Sequence, residues 1–339
     1  MKIAVISTTV FPVPLPGYGG LEQVAYLCAA GLARRGHQVL LVAPNTSTPP
    51  PGVELHGTTQ GESEQQAFSG YHQRLSGHDA VIDHSWQKWA YALKISGQLS
   101  APVLGVLHAP VHTMYASPPP IVLPCMVTLS QDQAGACLEH LGVPARVAYN
   151  GIDLDFYRPT GAPRTNRLLY LARISTIKGP QIAVDLARRL RFGLDLVGDD
   201  RITGEPQLAQ RMRALSVNNI VYHGGCERSK AVEWFNSAHA MIHPAFPFRE
   251  PFGLAPVEAN ACGLPVLASD NGALRETIKH GETGFVCKTQ EDMAEYIKTD
   301  AVSSIRADAC RENALRFSIA AMTTRYEELC QEAIESGGW

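Results

Sequence analysis

The sequence predicts an α/β chain of two domains, each built on a parallel sheet that helices cover on both faces. Its 339 residues exceed the roughly 100 to 200 residues that one domain usually contains. Hydrophobic residues make up 45% of the chain and charged residues 18%, which supplies enough apolar side chains for two cores. Short, continuously apolar runs alternate with segments of helical period, as in chains built from βα units.

The first half begins with the strand "KIAVIS", which an amphipathic helix follows from Leu21 to the terminating Gly36. "QVLLVAP" predicts the next strand, and a proline-rich tract follows it at residues 46–52. Further apolar runs predict strands at residues 80–83, 102–108, 126–130 and 145–150. Segments of helical period predict helices at residues 86–96 and 132–141.

The second half repeats this alternation. The predicted strands begin at Arg167, Leu194, Ile220, Ala240 and Pro265, and the predicted helices span residues 179–190, 208–215, 230–238 and 254–262. The composition of "YNGIDLDFYRPTGAPRTN" suits a linker, so we expect domains at residues 1–155 and 156–315. No strand follows the last helical segment, at about residues 305–336. We therefore expect residues 316–339 to pack back on the first domain.

Composition and charge exclude several classes of function. A formal net charge of −3 gives no basic surface for nucleic acid. The apolar run in "MKIAVIST" is too short for a signal peptide, and no run reaches the roughly 18 apolar residues of a spanning helix, so we expect a cytoplasmic protein. The eight cysteines are dispersed, without a C-x-x-C or a His/Cys cluster. That pattern predicts buried thiols in a reducing compartment and no metal site.

The loop after the first strand lacks the G-x-G-x-x-G fingerprint of a nicotinamide enzyme. "TTVFPVPLPGYGGLEQ" instead ends in Gly19 and Gly20 at a helix start. Free backbone N–H groups and the missing side chains would let a phosphate approach closely there. Alternatively, these glycines only shape a turn.

A second candidate anion site lies in "ARISTIKGP", where Arg173 follows a strand and Lys178 comes five positions later. Two cations at the carboxyl end of a strand would neutralise a diphosphate and stabilise charge on a leaving group. The alternative is a pair of solvated cations on a loop.

The stretch "FREPFGLAPVEANACGLPV" places Glu250 in a loop and Glu258 roughly one turn into a helix. Carboxylates only accept hydrogen bonds and suit vicinal hydroxyls, so the pair suggests a clamp for sugar rings. The amides of Phe252, Gly253 and Leu254 lie near the predicted helix start, where backbone N–H groups can bind a ligand. The alternative is an ordinary helix with one first-turn glutamate that favours the helix dipole.

These motifs, taken in order, resemble a known family. "PGYGG", "ARISTIKG", "EPFGLAPVE" with "ANACGLPVLAS", the linker "YNGIDLDFYRP" and the closing "FSIAAMTTRYEELC" together resemble retaining glycosyltransferases of family 4. The resemblance covers essentially the whole chain. It implies the GT-B fold, in which two facing Rossmann-like parallel-sheet domains enclose a cleft and a C-terminal helix crosses back to the first domain.

The resemblance also implies roles for the residues of the second domain. Glu258 would hold the hydroxyls of the nucleotide ribose, and Glu250 would lie beside the transferred sugar. Arg173 and Lys178 would bind the donor diphosphate and do the work of a divalent ion, so no metal cofactor is expected for the transfer.

Further contacts are implied for both domains. Gly19 and Gly20 would approach the diphosphate from the first domain, and His108 in "GVLHAP" would contact the donor sugar. The backbone of "YHGGCE", including His223 and Gly224, would recognise the base. His84 in "VIDHSW" lines the acceptor side or is a structural histidine; both interpretations stay open.

The expected substrates are a nucleotide-diphosphate sugar, most simply a UDP- or GDP-sugar, and a hydroxyl acceptor bound by the first domain. Residues 1–150 carry seven Lys and Arg against eight Asp and Glu, which gives no polybasic face for anionic lipid. We therefore expect a glycan, lipid-linked or small-molecule acceptor and at most peripheral membrane contact. Arg249 and Pro251 depart from the family pattern beside Glu250 and would reshape the sugar pocket.

Three other functions stay open. A GT-B phosphorylase would release a sugar phosphate, and a sugar-nucleotide epimerase would need no acceptor. A non-catalytic partner of another transferase would bind a nucleotide sugar, but replacing Glu250 would change no reaction rate. The oligomeric state stays open at this point.

Overall fold

The computed structural model of the 339-residue chain describes residues 1–17, 20–115, 124–200, 205–217 and 219–339. They form two compact units. The first unit comprises Met1–Gly151 and Phe317–Trp339, and the second comprises Ile152–Arg316. Each unit is built on one sheet whose strands all pair in parallel. The prediction of two parallel-sheet units is confirmed.

The first sheet has seven strands: β1 (Lys2–Ile6), β2 (Gln38–Pro44), β3 (Val53–Thr58), β4 (Ala80–Asp83), β5 (Val103–Val106), β6 (Met126–Thr128) and β7 (Arg146–Val147). Their order across the sheet is β3-β2-β1-β4-β5-β6-β7. The chain adds strands on one side of β1 and then crosses to β4 on the other side. Ile6 lies opposite both Val42 and Asp83, so the carboxyl ends of β1, β2 and β4 share one edge.

The helices of this unit are α1 (Leu21–Arg34), α2 (Glu64–Tyr71), α3 (Ala90–Ile95), α4 (Val111–Met114) and α5 (Gln131–Leu141). Local signals set their ends. Ser63 caps α2 in a capping box with Gln66, and Ser130 caps α5, whose last turn is closed by Gly142 in the left-handed region.

The second sheet has six strands: β8 (Arg167–Leu171), β9 (Gly193–Val197), β10 (Ile220–Gly224), β11 (Ala240–His243), β12 (Val266–Ser269) and β13 (Gly284–Cys287). Their order is β10-β9-β8-β11-β12-β13, so the direction in which strands are added reverses between β8 and β11. Continuously apolar strands such as "LLYL" and "AMIH" are buried, as parallel strands covered on both faces require.

The chain continues with α6 (Pro180–Leu190), α7 (Pro206–Ala214), α8 (Arg228–Ser237), α9 (Leu254–Ala261), α10 (Leu274–Thr277), α11 (Gln290–Lys298), α12 (Ala307–Leu315) and α13 (Ile319–Ser336). Short 3₁₀ turns lie at His72–Leu75, Thr176–Lys178 and Ala301–Ser304. Helix α13 belongs to the first unit and packs on α1. The packing is close at Gly31, where a Cβ would lie 2.0 Å from Thr323 Oγ1. The predicted return of the last helix to the first unit is confirmed.

The structure differs from the predicted elements in two ways. The final helix is not continuous over residues 305–336, because Ser318 starts a new helix by accepting the N–H of Ala321. The predictions also omitted β3, α2, α4, α10, β13 and α11. Strand β3 is an edge strand of mixed polarity, and β13 has only four residues, so neither carries the alternation or the long apolar run that identifies a strand.

Two other findings concern the whole of the described chain. All eight cysteines are free thiols, seven buried and Cys226 half-buried. None of the described helices combines the length and the apolar content that crossing a membrane requires.

Candidate active site

The candidate residues of the second unit gather where strand addition reverses. Arg173 and Lys178 follow β8, and Glu250 follows β11, the neighbour of β8 in the sheet. The carboxyl ends of parallel strands meet at one edge, and ligands of open α/β sheets bind at that edge where the strand order reverses. The topology therefore brings side chains that are 72 positions apart into one place.

Lys178 and Glu250 form a buried ion pair. Their side chains are 11% and 10% exposed, and Lys178 Nζ donates to Glu250 Oε2. His243, the last residue of β11, donates from Nε2 to the same oxygen at 3.3 Å. Lys178 Nζ also lies 4.3 Å from the centre of the Phe248 ring. The carboxylate thus has two hydrogen-bond donors inside the protein.

The electrostatics of this pair keep Glu250 ionised. Burial by itself would raise the pKa of the Glu250 carboxyl, but the charge of Lys178 and the hydrogen bond from His243 outweigh burial and lower that pKa to about 2. Burial also lowers the pKa of Lys178, and the charge of Glu250 opposes that effect. At neutral pH the site presents a fixed carboxylate.

The backbone holds Glu250 in place through Gly272. Glu250 and Gly272 form an isolated parallel bridge, and Ala273 N donates to Glu250 O at 2.8 Å. Gly272 has φ +69°, and a Cβ there would lie 2.3 Å from the Glu250 carbonyl oxygen. Only glycine fits this position without displacing the Glu250 backbone.

Helix α9 begins directly after this loop. Its N-cap, Gly253, has φ +85° and supplies no side-chain acceptor, so the capping leaves first-turn N–H groups available for a ligand. Phe252 is buried, and Leu254 is half-buried as the first helical residue. Among the predicted amide donors, Gly253 and Leu254 lie at this helix start.

Glu258 lies in the second turn of α9 and is buried, with 4% of its surface exposed. The hydroxyl of Tyr157 is hydrogen-bonded to it, and burial followed by the Glu258 charge raises the pKa of that phenol. Arg228 Nη2 donates to Tyr157 Oη at 3.0 Å and lies 3.9 Å from Glu258 Oε1. Tyr157 and Arg228 were not predicted from the sequence. The signal that was available for Arg228 is its position at the start of a helix after β10.

Arg173 is exposed, whereas Lys178 is buried. The hydroxyl of Tyr170 donates to the Arg173 carbonyl at 3.0 Å and fixes the start of the loop. Further along the loop, the carboxylate of Glu205 accepts from Ser175 Oγ at 2.6 Å. The loop after β8 thus offers one exposed cation, Arg173, and one cation inside a buried pair, Lys178.

His223 and Gly224 end β10. The His223 side chain is bound to Asp195 at 2.8 Å, and its ring centre lies 4.4 Å from that of Trp234. The His223 side chain is thus engaged within the second unit, and recognition of a base by the backbone of this segment stays a prediction.

The remaining predicted residues lie in the first unit. Gly20 is the N-cap of α1, and Gly19 lies outside the described residues. The first turn of α1 contains the buried Glu22, whose Oε1 accepts from Thr8 Oγ1 at 3.0 Å. This carboxylate already interacts favourably with the helix start, which leaves less positive potential for an anionic ligand.

His108 follows β5 and is paired with His84, which follows β4. His84 Nδ1 lies 2.8 Å from His108 Nε2, so one nitrogen donates and the other accepts. Burial lowers the pKa of His84 to about 3 and holds the pKa of His108 well below its usual range. Both rings are neutral at pH 7, and His84 orients His108. In the described parts of the chain, no group of three His, Cys, Asp or Glu side chains has the arrangement of a metal site.

Comparisons with known proteins identify the family of this chain. A model of the family described as "Glycosyltransferase Family 4" matches residues 18–156, and one described as "Glycosyl transferases group 1" matches residues 157–317. The chain is a family 4 glycosyltransferase. The resemblance expected from the sequence is confirmed, and this glycosyltransferase uses a nucleotide sugar as its donor, as its family does.

Curated relatives of this glycosyltransferase match over most of its length. The D-inositol 3-phosphate glycosyltransferase of Xylanimonas cellulosilytica is 24% identical over 96% of this chain and 93% of its own length. That of Pseudarthrobacter chlorophenolicus is 26% identical over 84% of this chain and 83% of its own length.

Solved structures share the fold at lower identity. AviGT4, a glycosyltransferase involved in avilamycin A biosynthesis, has a TM-score of 0.79 at 22% identity and covers 100% of this chain and 99% of its own. Sucrose-phosphate synthase from Thermosynechococcus elongatus has a TM-score of 0.82 at 18% identity and covers 99% and 100%. HepE of Anabaena with UDP-glucose has a TM-score of 0.75 at 19% identity and covers 98% and 100%. The predicted GT-B fold is confirmed.

Proposed function

We propose that this glycosyltransferase moves a sugar from a UDP- or GDP-sugar to a hydroxyl acceptor with retention of the anomeric configuration. The observation that carries the proposal is the buried Lys178–Glu250 pair at the edge where strand order reverses. UDP-sugars are the first donors to test, because HepE, which shares the fold, was crystallised with UDP and with UDP-glucose. In this proposal residues 1–155 bind the acceptor and residues 156–315 bind the donor.

The leaving group determines the chemistry. When the bond between the anomeric carbon and the phosphate oxygen breaks, positive charge develops on the sugar and negative charge on the diphosphate. The exposed Arg173 and the N–H groups of Gly253 and Leu254 would stabilise the diphosphate, with Lys178 adding its charge from the buried pair. Charges held in fixed positions stabilise the transition state without reorganisation.

The two glutamates would position the donor. Glu250 stays ionised next to Lys178 and His243, so it can accept hydrogen bonds from the hydroxyls of the transferred sugar. Glu258, held by Tyr157, would accept from the two ribose hydroxyls. Glu250 orients the sugar in this proposal and does not attack it.

Retention follows from attack on the same face of the sugar. The acceptor oxygen forms its bond to the anomeric carbon as the bond to the diphosphate breaks, and the acceptor proton passes to the departing phosphate oxygen. Neutral His108 would contact the donor sugar from the first unit, and the hydrogen bond with His84 would set the orientation of its ring.

The test is donor binding by isothermal titration calorimetry, in EDTA, with UDP-, GDP- and ADP-sugars. One nucleotide class should bind, and Glu258→Ala should weaken it tenfold or more, about 1.4 kcal/mol. Glu233→Ala, an exposed glutamate of the same unit, is the matched control and should bind as the wild type does.

Steady-state rates then separate the proposed activity from its alternatives. Glu250→Gln should lower the rate of transfer at least a hundredfold, because the sugar loses its ionised acceptor. Failure of all three nucleotide classes to bind, or binding that ignores Glu258, would overturn the assigned site. Phosphate-dependent release of sugar phosphate would favour a phosphorylase, and unchanged rates in Glu250→Gln would favour a binding partner.

A further inference from the structure

Tyr157 lies near the start of the second unit, and its backbone is anchored at both ends of the residue. Its N–H donates to the Asp153 carbonyl at 2.8 Å, and its own carbonyl accepts from Arg311 Nη1. The side chain is fully buried, and its ring centre lies 6.2 Å from that of Phe235. The phenol therefore has a fixed position in the interior, beside Glu258 of α9.

The phenol hydroxyl joins a cation to a carboxylate. Arg228 Nη2 donates to Tyr157 Oη at 3.0 Å. A guanidinium cannot accept a hydrogen bond, so the single phenol proton is left for Glu258, which accepts it. Burial and the charge of Glu258 raise the pKa of Tyr157 well above its ordinary value, so the phenol keeps this proton at neutral pH. The hydrogen bonds thus run in one direction, from Arg228 through Tyr157 to Glu258.

Arg228 acts on Glu258 mainly through this phenol. Its Nη2 lies 3.9 Å from Glu258 Oε1, which is beyond hydrogen-bond distance. The guanidinium also lies 5.9 and 5.7 Å from the ring centres of Phe156 and Tyr157, which hold it in place. A charged donor polarises the hydroxyl that it binds, and this strengthens the bond from that hydroxyl to the carboxylate. Glu258 is therefore oriented by a donor that is itself fixed.

A carboxylate that cannot turn depends on the hydroxyls that its ligand brings. A ribose brings two neighbouring hydroxyls, and a 2′-deoxyribose brings one. A site that is built to hydrogen-bond a hydroxyl rejects an analogue that lacks it, because a buried group of the site then loses its partner. If Glu258 could turn, it could accept instead from Arg228, which is only 3.9 Å away, and the missing hydroxyl would cost less.

We propose that Tyr157, held by Arg228, is a positioning residue that fixes Glu258 and so makes the donor site select ribonucleotides over 2′-deoxyribonucleotides. Tyr157 acts through Glu258 and touches no substrate itself. This inference rests on the proposed function, in which Glu258 accepts from the hydroxyls of the nucleotide ribose.

The test compares UDP with 2′-deoxy-UDP, which differ by one hydroxyl, by isothermal titration calorimetry in EDTA. If the donor screen selects another base, the two diphosphates of that base replace them. The wild type should bind 2′-deoxy-UDP about tenfold or more weakly than UDP. In Tyr157→Phe this ratio should fall to about threefold or less, because UDP loses affinity while 2′-deoxy-UDP does not. Both nucleotides are titrated into one preparation, so a loss of folded protein lowers the stoichiometry and leaves the ratio unchanged.

A second variant and a matched control connect this ratio to the hydrogen-bonded chain. Arg228→Met keeps an apolar stem beside Phe156 and removes the N–H group that holds the phenol, so it should lower the ratio about twofold or more. Tyr296→Phe removes a phenol hydroxyl elsewhere in the second unit, where the Tyr296 ring is stacked 4.1 Å from that of Phe285. This control should keep the ratio of the wild type.

The outcomes separate this inference from the proposed function. If UDP binding does not depend on Glu258, the proposed donor site fails. If Glu258→Ala weakens UDP as expected, the inference is overturned by a wild type that does not discriminate, or by an unchanged ratio in Tyr157→Phe. A fall in the unfolding free energy of Tyr157→Phe with an unchanged ratio would assign Tyr157 a purely structural role and would also overturn it.

Discussion

Replacing Lys178 by methionine leaves a buried carboxylate without its cation while keeping the apolar stem of the side chain on Phe248. Glu250 has a pKa of about 2, against 4.5 for an unperturbed glutamate. A difference of that size corresponds to about 3 kcal/mol of stability at neutral pH. Breaking one side of a buried ion pair elsewhere costs about 3–5 kcal/mol, which agrees with this value. Lys178→Met should therefore lower the free energy of unfolding of the second unit by about 3 kcal/mol.

The dependence on pH has a definite sign. In the wild type, the folded pKa of Glu250 is depressed, so its contribution to stability is complete above pH 4.5 and is lost as pH falls toward 2. In Lys178→Met the carboxylate is buried without a cation, so we expect its pKa to rise above 4.5. Protonation then removes the penalty, and the difference between the two proteins should narrow from pH 7 to pH 4.

The assay is urea unfolding of the wild type, Lys178→Met, Glu250→Gln and the double variant. Hydrogen exchange in β11 and α9 reports the second unit, because a chain of two units need not unfold in one step. The losses of unfolding free energy in the two single variants, added together, should exceed the loss in the double variant by about 2 kcal/mol or more. A loss below about 1 kcal/mol, strictly additive losses, or a difference that grows toward pH 4 would refute the argument.

Three further predictions concern the backbone, histidine ionisation and metal dependence. Gly272→Ala should lose about 3 kcal/mol of unfolding free energy, because the new Cβ would overlap the Glu250 carbonyl, whereas Gly281→Ala, at φ +78° in open space, should lose about 1 kcal/mol. Equal losses in urea titrations would contradict the steric explanation. The pKa of His84 is lowered to about 3, so the unfolded chain takes up a proton below pH 6.5 that the folded chain does not. When the pH falls from 7 to 5, the unfolding free energy of His84→Gln should therefore fall by about 2 kcal/mol less than that of the wild type. Unfolding followed by tryptophan fluorescence measures both, and an equal fall in the two proteins would contradict this prediction. Excess EDTA should leave the transfer rate within about twofold, since the proposed charge stabilisation comes from protein cations. A large fall in the transfer rate that added Mg²⁺ reverses would show that a metal takes part.

Local pattern was sufficient for much of the fold. Runs such as "AMIH" and the periodicity of α1 predicted elements close to the observed bounds, because strands and helices are set by side-chain period and by residues with restricted backbone conformations. The loop position of Glu250 and the helical position of Glu258 followed from the same kind of signal. Edge elements such as β3 escaped prediction because an edge strand need not be apolar on both faces.

Sequence alone determined that this chain has two parallel-sheet units and carries the residues of a family 4 glycosyltransferase. Only the tertiary structure decided which of those residues meet. The Lys178–Glu250 pair joins positions 72 residues apart, and the contact of Arg228 with Tyr157 joins positions 71 apart. The physical reason is that sheet order, and no local period, decides which strand ends become neighbours. The same order brings Ser7, Thr58 and Glu64 together around a small pocket of the first unit.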